Sequence, residues 1–444
     1  MKNIKITYVG FIAILTGLWF WTNPDIFQVE SFIGLRNFIV QYLGTISIGI
    51  MSLIMPLATR PVWLEKPLGG LDKIYRLHKW LGITVLVTST MHWLWSVGPK
   101  WASGLGLIAG KRGPRPDHSD FGVIQAAFAS QRGFAENLGE WAFYGAALLM
   151  VLALVKWFPY HWFAKTHTIL AGLYLVLVFH GLMLFDFASW SQPIGYLMAA
   201  MLLVGTVSAV IVLTGKIGKN RQATGKIEAL EYLPQMKSLE IVIRPDDHWT
   251  GHKAGQFAFV TFPGNDGAHP FTISSAWQRD TPQLTLISKA LGDYTQTLPK
   301  ALKEGDPVRL EGPYGTFTFD EGRPRQIWIS GGIGLTPFLA RLEQLGQNPT
   351  EQQIDFYQAA PVCDETLMVR LEALARKAGV KLHVWRDGRD GFLSGEKLRQ
   401  DVPDWKSASV WFCGPSGFGD AVKRDLIGAG LPAHAYHQEL FSFR

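Results

Sequence analysis

Four histidines in two apolar stretches are the residues most suited to binding a transition metal. His78 and His92 lie in RLHKWLGITVLVTSTMHWLWSV, and His167 and His180 lie in a second such run. Neutral imidazole is a good ligand for iron, copper and zinc. His78 and His92 are 14 positions apart, a rise of roughly 21 Å on a helix and a rotation about 40° short of four turns, so one helix face presents both rings at two depths. His167 and His180 are 13 apart. A lone histidine in an apolar helix is ordinarily a packing residue, but a group that can ionise inside a membrane is functional by default, and two matched pairs strengthen that reading. If both helices run the same way, His78 meets His167 at one depth and His92 meets His180 at the other. Two imidazoles from facing helices would hold one haem iron axially at each depth. Zinc, the rival, wants four tetrahedral ligands, and no acidic or Cys partner stands at helical spacing. Thirteen residues turn a straight helix about 220°, so the second helix is expected to bend or bulge, with Gly172 the candidate position. His161, in FPYHWFAK, is a competing ligand that reads more simply as interfacial.

The elements that carry these histidines are membrane spans. Of 444 residues, 48% are hydrophobic and only 18% charged, with 17 Trp, too apolar for an ordinary soluble chain. Six segments suit a bilayer, at 6–21, 38–58, 76–97, 138–158, 165–185 and 193–214, and the first reads as a retained span, not a cleaved signal peptide. Lys2 and Lys5, then Arg60, Lys66, Lys73 and Arg76, then Lys156 and Lys165, then Lys216, Lys219, Arg221 and Lys226 mark one side as cytoplasmic, because basic loops stay inside. NPDIFQVES and DFASWSQ, on the other side, have no Lys or Arg. One connection, 98–137, disagrees: it should be outside yet carries Lys100, Lys111, Arg112, Arg115 and Arg132. It is a solvated loop or, through Lys111, Arg112 and Arg115, a site for an external anion or a haem propionate. The net charge of +6 gathers at span ends rather than on one basic face, which argues against nucleic acid as a partner.

From residue 216 the pattern changes. Short runs such as SLEIVIR, FAFVTF and PVRLEG suggest an antiparallel barrel, and QIWISGG, IDFYQAA, KLHVWR and SVWFCG alternate with helical segments as a parallel α/β sheet requires. The limits are set at 1–215 for the membrane domain, 216–322 for the barrel and 323–444 for the α/β domain. Within the barrel, His269, Pro270, Phe271 and Thr272 read HPFT and lead to Ser274, a strand whose polar residues could face a flavin. Gly292 and Thr295, in LGDYT, could offer N–H groups and a hydroxyl to a pyrophosphate. Gly331, Gly332, Gly334, Thr336 and Pro337 form GGIGLTP before a helix, where glycines let phosphates approach the helix N-terminus. The two cysteines, Cys363 and Cys413, are too few for a disulfide framework.

These motifs in this order resemble the NADPH oxidase and ferric reductase superfamily, a six-span ferric-reductase-like domain fused to a ferredoxin–NADP reductase-type module. The resemblance implies a six-helix transmembrane bundle, an antiparallel β-barrel FAD domain and an α/β parallel-sheet nucleotide-binding domain. It implies FAD, two b-type haems on His78 with His167 and His92 with His180, and NADPH or NADH as donor. Thr272 would bond the isoalloxazine, and His269 would stand near the pyrophosphate. Gly331 to Pro337 with Cys413, Gly414 and Pro415 would receive the nicotinamide nucleotide. Phe441, in QELF, would cover the flavin with Glu439 nearby, Phe443 being the alternative. The sequence departs from many relatives after IDFYQ, where AAPVCDE has no Arg for a 2′-phosphate; Arg386 and Arg389 could supply it. No EF-hand loop occurs, so no calcium is implied.

The activity implied is electron transfer across the cell membrane, plasma or bacterial inner, from a cytoplasmic nucleotide domain to an external acceptor. With both axial positions filled by histidine, no iron site stays open for oxygen, and reduction would occur at the haem edge. Oxygen giving superoxide is the leading acceptor. A ferric chelate, a periplasmic or membrane partner supplied with electrons, and a haem-free anchor for a flavin reductase are the alternatives.

Overall fold

A computed structural model describes residues 1–29, 31–106, 121–155, 157–264, 267–360 and 364–439. The chain divides at Ile217 and Gly218 into two units. Six long helices make the first: α1 (Lys2–Thr22), α2 (Phe32–Ala58), α3 (Leu71–Gly104), α4 (Val123–Leu154), α5 (Tyr160–Leu184) and α6 (Pro193–Leu213). Ser31 caps α2, its Oγ accepting the Gly34 N–H at 3.1 Å, and Pro193 opens α6, where its missing N–H costs nothing. Ile6, Val9, Ile14, Leu148, Leu203 and Val207 point outward, each more than half exposed, a surface suited to lipid rather than water. Among the described residues, five helices are long and apolar enough to cross a membrane. The sixth, α3, is diluted by His78, Lys79, Ser89, Thr90 and His92.

Two expectations need correction. The third connection is shorter than 98–137, because α3 runs on to Gly104 and α4 begins at Val123. Lys100 and Arg132 are therefore helical residues, while Lys111, Arg112 and Arg115 lie outside the described residues. The boundary was missed because Pro99 and a cluster of Gly read as loop, yet Pro99 falls within the helix. Nor does α5 carry a bulge: it is α-helical without interruption from Tyr160 to Leu184, through Gly172.

The second unit holds two sheets. β1 (Gln222–Leu233), β2 (Ser238–Pro245), β3 (Phe257–Thr261), β4 (His269–Thr272), β5 (Leu284–Lys289) and β6 (Pro307–Tyr314) pair antiparallel in the order β4-β3-β6-β1-β2-β5. A bridge between Ile273 and Leu286 joins the two edges, closing the sheet around Ile241, Ile243, Val260, Leu286 and Leu310, all fully buried. A helix, α7 (Asp293–Ala301), follows β5. Closure leaves no edge to aggregate.

The parallel sheet has the order β11-β10-β7-β8-β9, built from β7 (Arg325–Gly331), β8 (Gln353–Ala359), β9 (Lys381–Trp385), β10 (Ser409–Cys413) and β11 (Tyr436–Gln438). Its helices are α8 (Thr336–Gln347), α9 (Glu365–Lys377), α10 (Gly395–Asp401) and α11 (Ser416–Gly428). Trp328 stands in register between Trp411 and Phe356. Phe317 and Phe319, just past the barrel, pack into that same cluster with Phe338, so one apolar core binds the two sheets together.

Candidate functional site

In the helical unit, α3 and α5 bring the four histidines together as two pairs. The rings of His78 and His167 have centres 5.9 Å apart with planes at 56°, and those of His92 and His180 are 6.4 Å apart with planes at 87°. Backbone carbonyls orient the second pair: Nδ1 of His92 donates to Val40 O at 2.9 Å, and Nδ1 of His180 donates to Ala135 O at 2.8 Å. A carbonyl only accepts, so Nδ1 carries the proton and Nε2 keeps its lone pair, the tautomer of a metal-ligating histidine. Phe163 stacks on His167 at 5.1 Å. The side chain of His161 lies outside the described residues.

Neighbouring helices leave room at the second pair. A Cβ at Gly44 on α2 would lie 3.1 Å from the His92 ring, and one at Gly139 on α4 would lie 1.9 Å from Nδ1 of His180. A cavity of about 400 Å³ opens there, lined by both rings and, toward the helix ends, by Arg36, Lys100 and Arg132. Sequence reasoning missed both glycines, which belong to other helices and carry no motif. Among the described residues, no group of three or more His, Cys, Asp or Glu is placed to hold a metal ion. Each level therefore offers two imidazoles and, among the described residues, no third group placed to share them.

In the second unit, a cavity of about 1120 Å³ runs between the barrel and the parallel sheet. Pro270, Phe271 and Thr272 of β4 and Thr295 of α7 line its barrel wall; Gly331, Gly332, Gly334, Thr336, Gly414 and Pro415 line the other. At the end of β7 the chain makes one tight turn over Gly332–Leu335 and enters α8, with Pro337 in its first turn. The turn at Gly332 has φ +57°, a backbone that glycine adopts without strain. A Cβ at Gly334 would lie 2.2 Å from the Cys413 carbonyl, so the two glycine segments close on each other and leave only backbone at the mouth of α8. Free N–H groups at a helix N-terminus suit phosphate.

Several expected contact residues stand behind this wall rather than on it. His269 stacks on Tyr294, ring centres 3.8 Å apart. Ser274 is buried, its Oγ donating to Thr285 O at 2.8 Å. Thr295, by contrast, is on the barrel wall, and its Oγ1 accepts the N–H groups of Leu291 and Gly292 at 3.0 and 3.2 Å, which shapes the turn before α7. Pro337 and Cys413 are buried and absent from the lining. Burial first, and the nearby Glu439 carboxylate second, push the Cys413 thiol well above its ordinary value, so it is protonated at neutral pH. Glu439 is itself 7% exposed. Phe441, Phe443 and Cys363 lie outside the described residues. Arg386 and Arg389 do not line the cavity, and Arg389 forms an ion pair with Asp390 at 2.8 Å. The lining adds Phe392, Leu393 and Ser394, between β9 and α10; GFLS follows a strand and contains an exposed aromatic, the one signal that could have marked it.

The comparisons follow this division of the chain. A ferric reductase like transmembrane component matches residues 43–178, and an FAD-binding domain matches residues 225–318. The chain is 28% identical over 197 residues to a flavohemoprotein of Oceanobacillus iheyensis, covering 42% of this chain and 46% of that one. It is 31% identical over 208 residues to the stachydrine N-demethylase reductase subunit Stc4 of Rhizobium meliloti, covering 43% and 58%. Among solved structures, the FAD/NAD binding domain of a nitric oxide dioxygenase from Vibrio cholerae O1 biovar El Tor aligns at a TM-score of 0.43 and 22% identity, covering 49% of this chain and 97% of that one. The chain spans about half the length of the curated relatives it matches. A ferric-reductase-like helical domain joined to an FAD-binding barrel of the ferredoxin–NADP reductase type is the architecture of the NADPH oxidase and ferric reductase superfamily, and this chain has that architecture.

Proposed function

We propose that this chain carries electrons from cytoplasmic NADH or NADPH, by way of FAD and two b-type haems, to an acceptor on the far side of the cell membrane, with oxygen giving superoxide as the leading acceptor. The observation that carries the reading is the pair of stacked imidazole sites. Two imidazoles each about 2 Å from one metal have ring centres about 6 Å apart, and the separations here are 5.9 and 6.4 Å. The absence of a third ligand among the described residues disfavours tetrahedral zinc and suits an iron whose other four ligands come from a porphyrin. His78 with His167, and His92 with His180, would hold the two irons.

When bound, FAD exchanges the two-electron chemistry of a nicotinamide for one-electron transfer, and b-type haem relays single electrons. The chain's residues position and insulate. Pro270, Phe271 and Thr272 would form the flavin's wall, with Ser274, Gly292 and His269 behind it. Gly331 to Pro337 and Gly414 with Pro415 would seat the nucleotide, with Cys413 a neutral thiol below. Phe441 would cover the flavin. Val40 and Ala135 fix the rings of His92 and His180 by their carbonyls. The domain limits 1–215, 216–322 and 323–444 remain part of this proposal.

Arg36, Lys100 and Arg132, which outnumber Glu136 and Glu140 in the lining of the cavity at His92 and His180, favour a second reading, in which an anionic ferric chelate is the acceptor. Purified, FAD-loaded protein is mixed with NADH or NADPH without oxygen, and the haem bands are followed. Reduction of a low-spin b-type spectrum is expected, with faster reoxidation by oxygen than by ferric citrate; the reverse order favours the chelate. Protein without such a spectrum, or with flavin reduced and haem left oxidised, would refute the relay.

A further inference from the structure

Arg370 on α9 lies between two carboxylates that belong to different parts of the second unit. Its Nη1 donates to both oxygens of Glu240 on β2, at 2.8 and 3.0 Å, and its Nη2 donates to Glu343 Oε1 on α8 at 3.1 Å. The other oxygen of Glu343 accepts the Ala276 N–H at 3.0 Å. Ala276 lies just beyond β4, next to Ser275, whose Oγ accepts the Thr285 N–H of β5 at 2.9 Å. The chain of bonds thus starts on the barrel, passes through two helices of the parallel sheet, and returns to the barrel at a second point.

Both anchor points bear on the cavity's walls. Glu343 lies seven residues, about 10 Å along the helix, past Thr336 at the cavity mouth. Ala276 lies four residues past Thr272 on the opposite wall. None of Glu240, Glu343 or Arg370 lines the cavity. The carboxylates are largely shielded, with side chains 11% and 22% exposed, and the one guanidinium between them is the cation that both share. A planar guanidinium fork serves both at once, which a lysine cannot do.

We infer that Arg370 with Glu240 and Glu343 is a positioning clamp that sets the distance between the flavin wall and the nucleotide wall of the cleft, and so the rate of hydride transfer. The inference rests on the proposed function, because it requires that the two walls hold FAD and a nicotinamide. A misplacement of about 1 Å between reacting partners lowers a rate by roughly a hundredfold, and a clamp far from the reacting atoms acts through that distance.

The test is anaerobic stopped-flow reduction of the FAD-loaded, full-length protein by NADH and NADPH, for the wild type and for Arg370→Ala, Arg370→Lys and Glu343→Gln. At saturating nucleotide, Arg370→Ala is expected to slow flavin reduction about tenfold or more, and the other two variants to fall between. Nucleotide half-saturation should change less than threefold, and reoxidation of dithionite-reduced protein by oxygen should match the wild type. Flavin reduction at the wild-type rate in variants of lowered melting temperature would show a purely structural role and overturn the inference. Loss of FAD from all three variants, the conservative Arg370→Lys included, would overturn it equally. A wild-type flavin that neither nucleotide reduces would fail the proposed function itself, and the clamp with it.

Discussion

If the histidine pairs hold haem as proposed, Gly139 shows how much of such a site would be decided by residues that touch no metal. The ring of His180 occupies the space its side chain would need, with Nδ1 1.9 Å from the position of a Cβ, and that nitrogen is held by the carbonyl of Ala135 one turn earlier on α4. A methyl group there cannot be absorbed by a small adjustment, since helix backbone lies on one side and an imidazole on the other. Gly139→Ala should therefore expel His180 from its pair while leaving His78 and His167 undisturbed. If the four histidines hold two haems, the variant should keep about half of the wild-type b-type absorbance, in a reduced-minus-oxidised spectrum, because one of two axial pairs is lost. His180→Ala should give the same half, and combining the two should remove no more. Full haem content in Gly139→Ala would show that the pair at 92 and 180 tolerates displacement of its ring, and is not a ligand pair.

Among elements, the barrel offers a titration that follows from one buried ring. His252, in the loop before β3, is walled by Trp249 and Trp277 at ring separations of 6.3 and 5.6 Å, and its Nε2 donates to Ser275 O at 2.9 Å. Burial lowers its pKa to about 4 from 6.5, the hydrogen bond to Ser275 opposing. Between those values the unfolded chain takes a proton that the folded barrel refuses. Stability is thus complete above pH 6.5, falls as pH drops from 6.5 toward 4, and is flat below, by about 3 kcal/mol in all. Unfolding followed by tryptophan fluorescence should show this slope in the wild type and lose it in His252→Gln; parallel slopes would reject the assignment. The legible part of the fold and site follows the same division between local and distant causes. HPFT and GGIGLTP could be read as motifs because their residues lie within a few positions of one another, the histidines because two apolar spans carry them at nearly the same spacing, and alternation separated the barrel from the α/β sheet. Gly44, Gly139 and the link from Glu240 to Arg370 could not, because each matters only through a residue far away in sequence. The extent of α3 was hidden by Pro99, which an already formed helix accommodates, and the proposed bend in α5 assumed that both rings must leave one face.

For the molecule as a whole, the direction of the proposed electron flow would depend on which side of the membrane each helix end faces, and that is set by charge rather than by any single residue. The cations Arg60, Lys66, Lys73, Lys165, Lys216, Lys219 and Arg221 cluster at alternate ends of successive helices, while the segments between α1 and α2 and between α5 and α6 have none. Basic connections are retained in the cytoplasm, which would put the His78 and His167 ends of α3 and α5 inside and the His92 and His180 ends outside. Lys100, Lys111, Arg112, Arg115 and Arg132 run against that order; Arg132 is paired with Glu136 at 3.1 Å, which offsets one of the five charges, and the other connections outvote the rest. Two exposed positions test the assignment: Ser191, between α5 and α6, and Asn220, after α6. With Cys363 replaced by Ser, a membrane-impermeant maleimide should label Ser191→Cys in intact cells and Asn220→Cys only after permeabilisation, Cys413 being buried. Labelling of Asn220→Cys from outside would reverse the membrane orientation, place the nucleotide cavity away from cytoplasmic NADH and NADPH, and leave the outward relay without a donor.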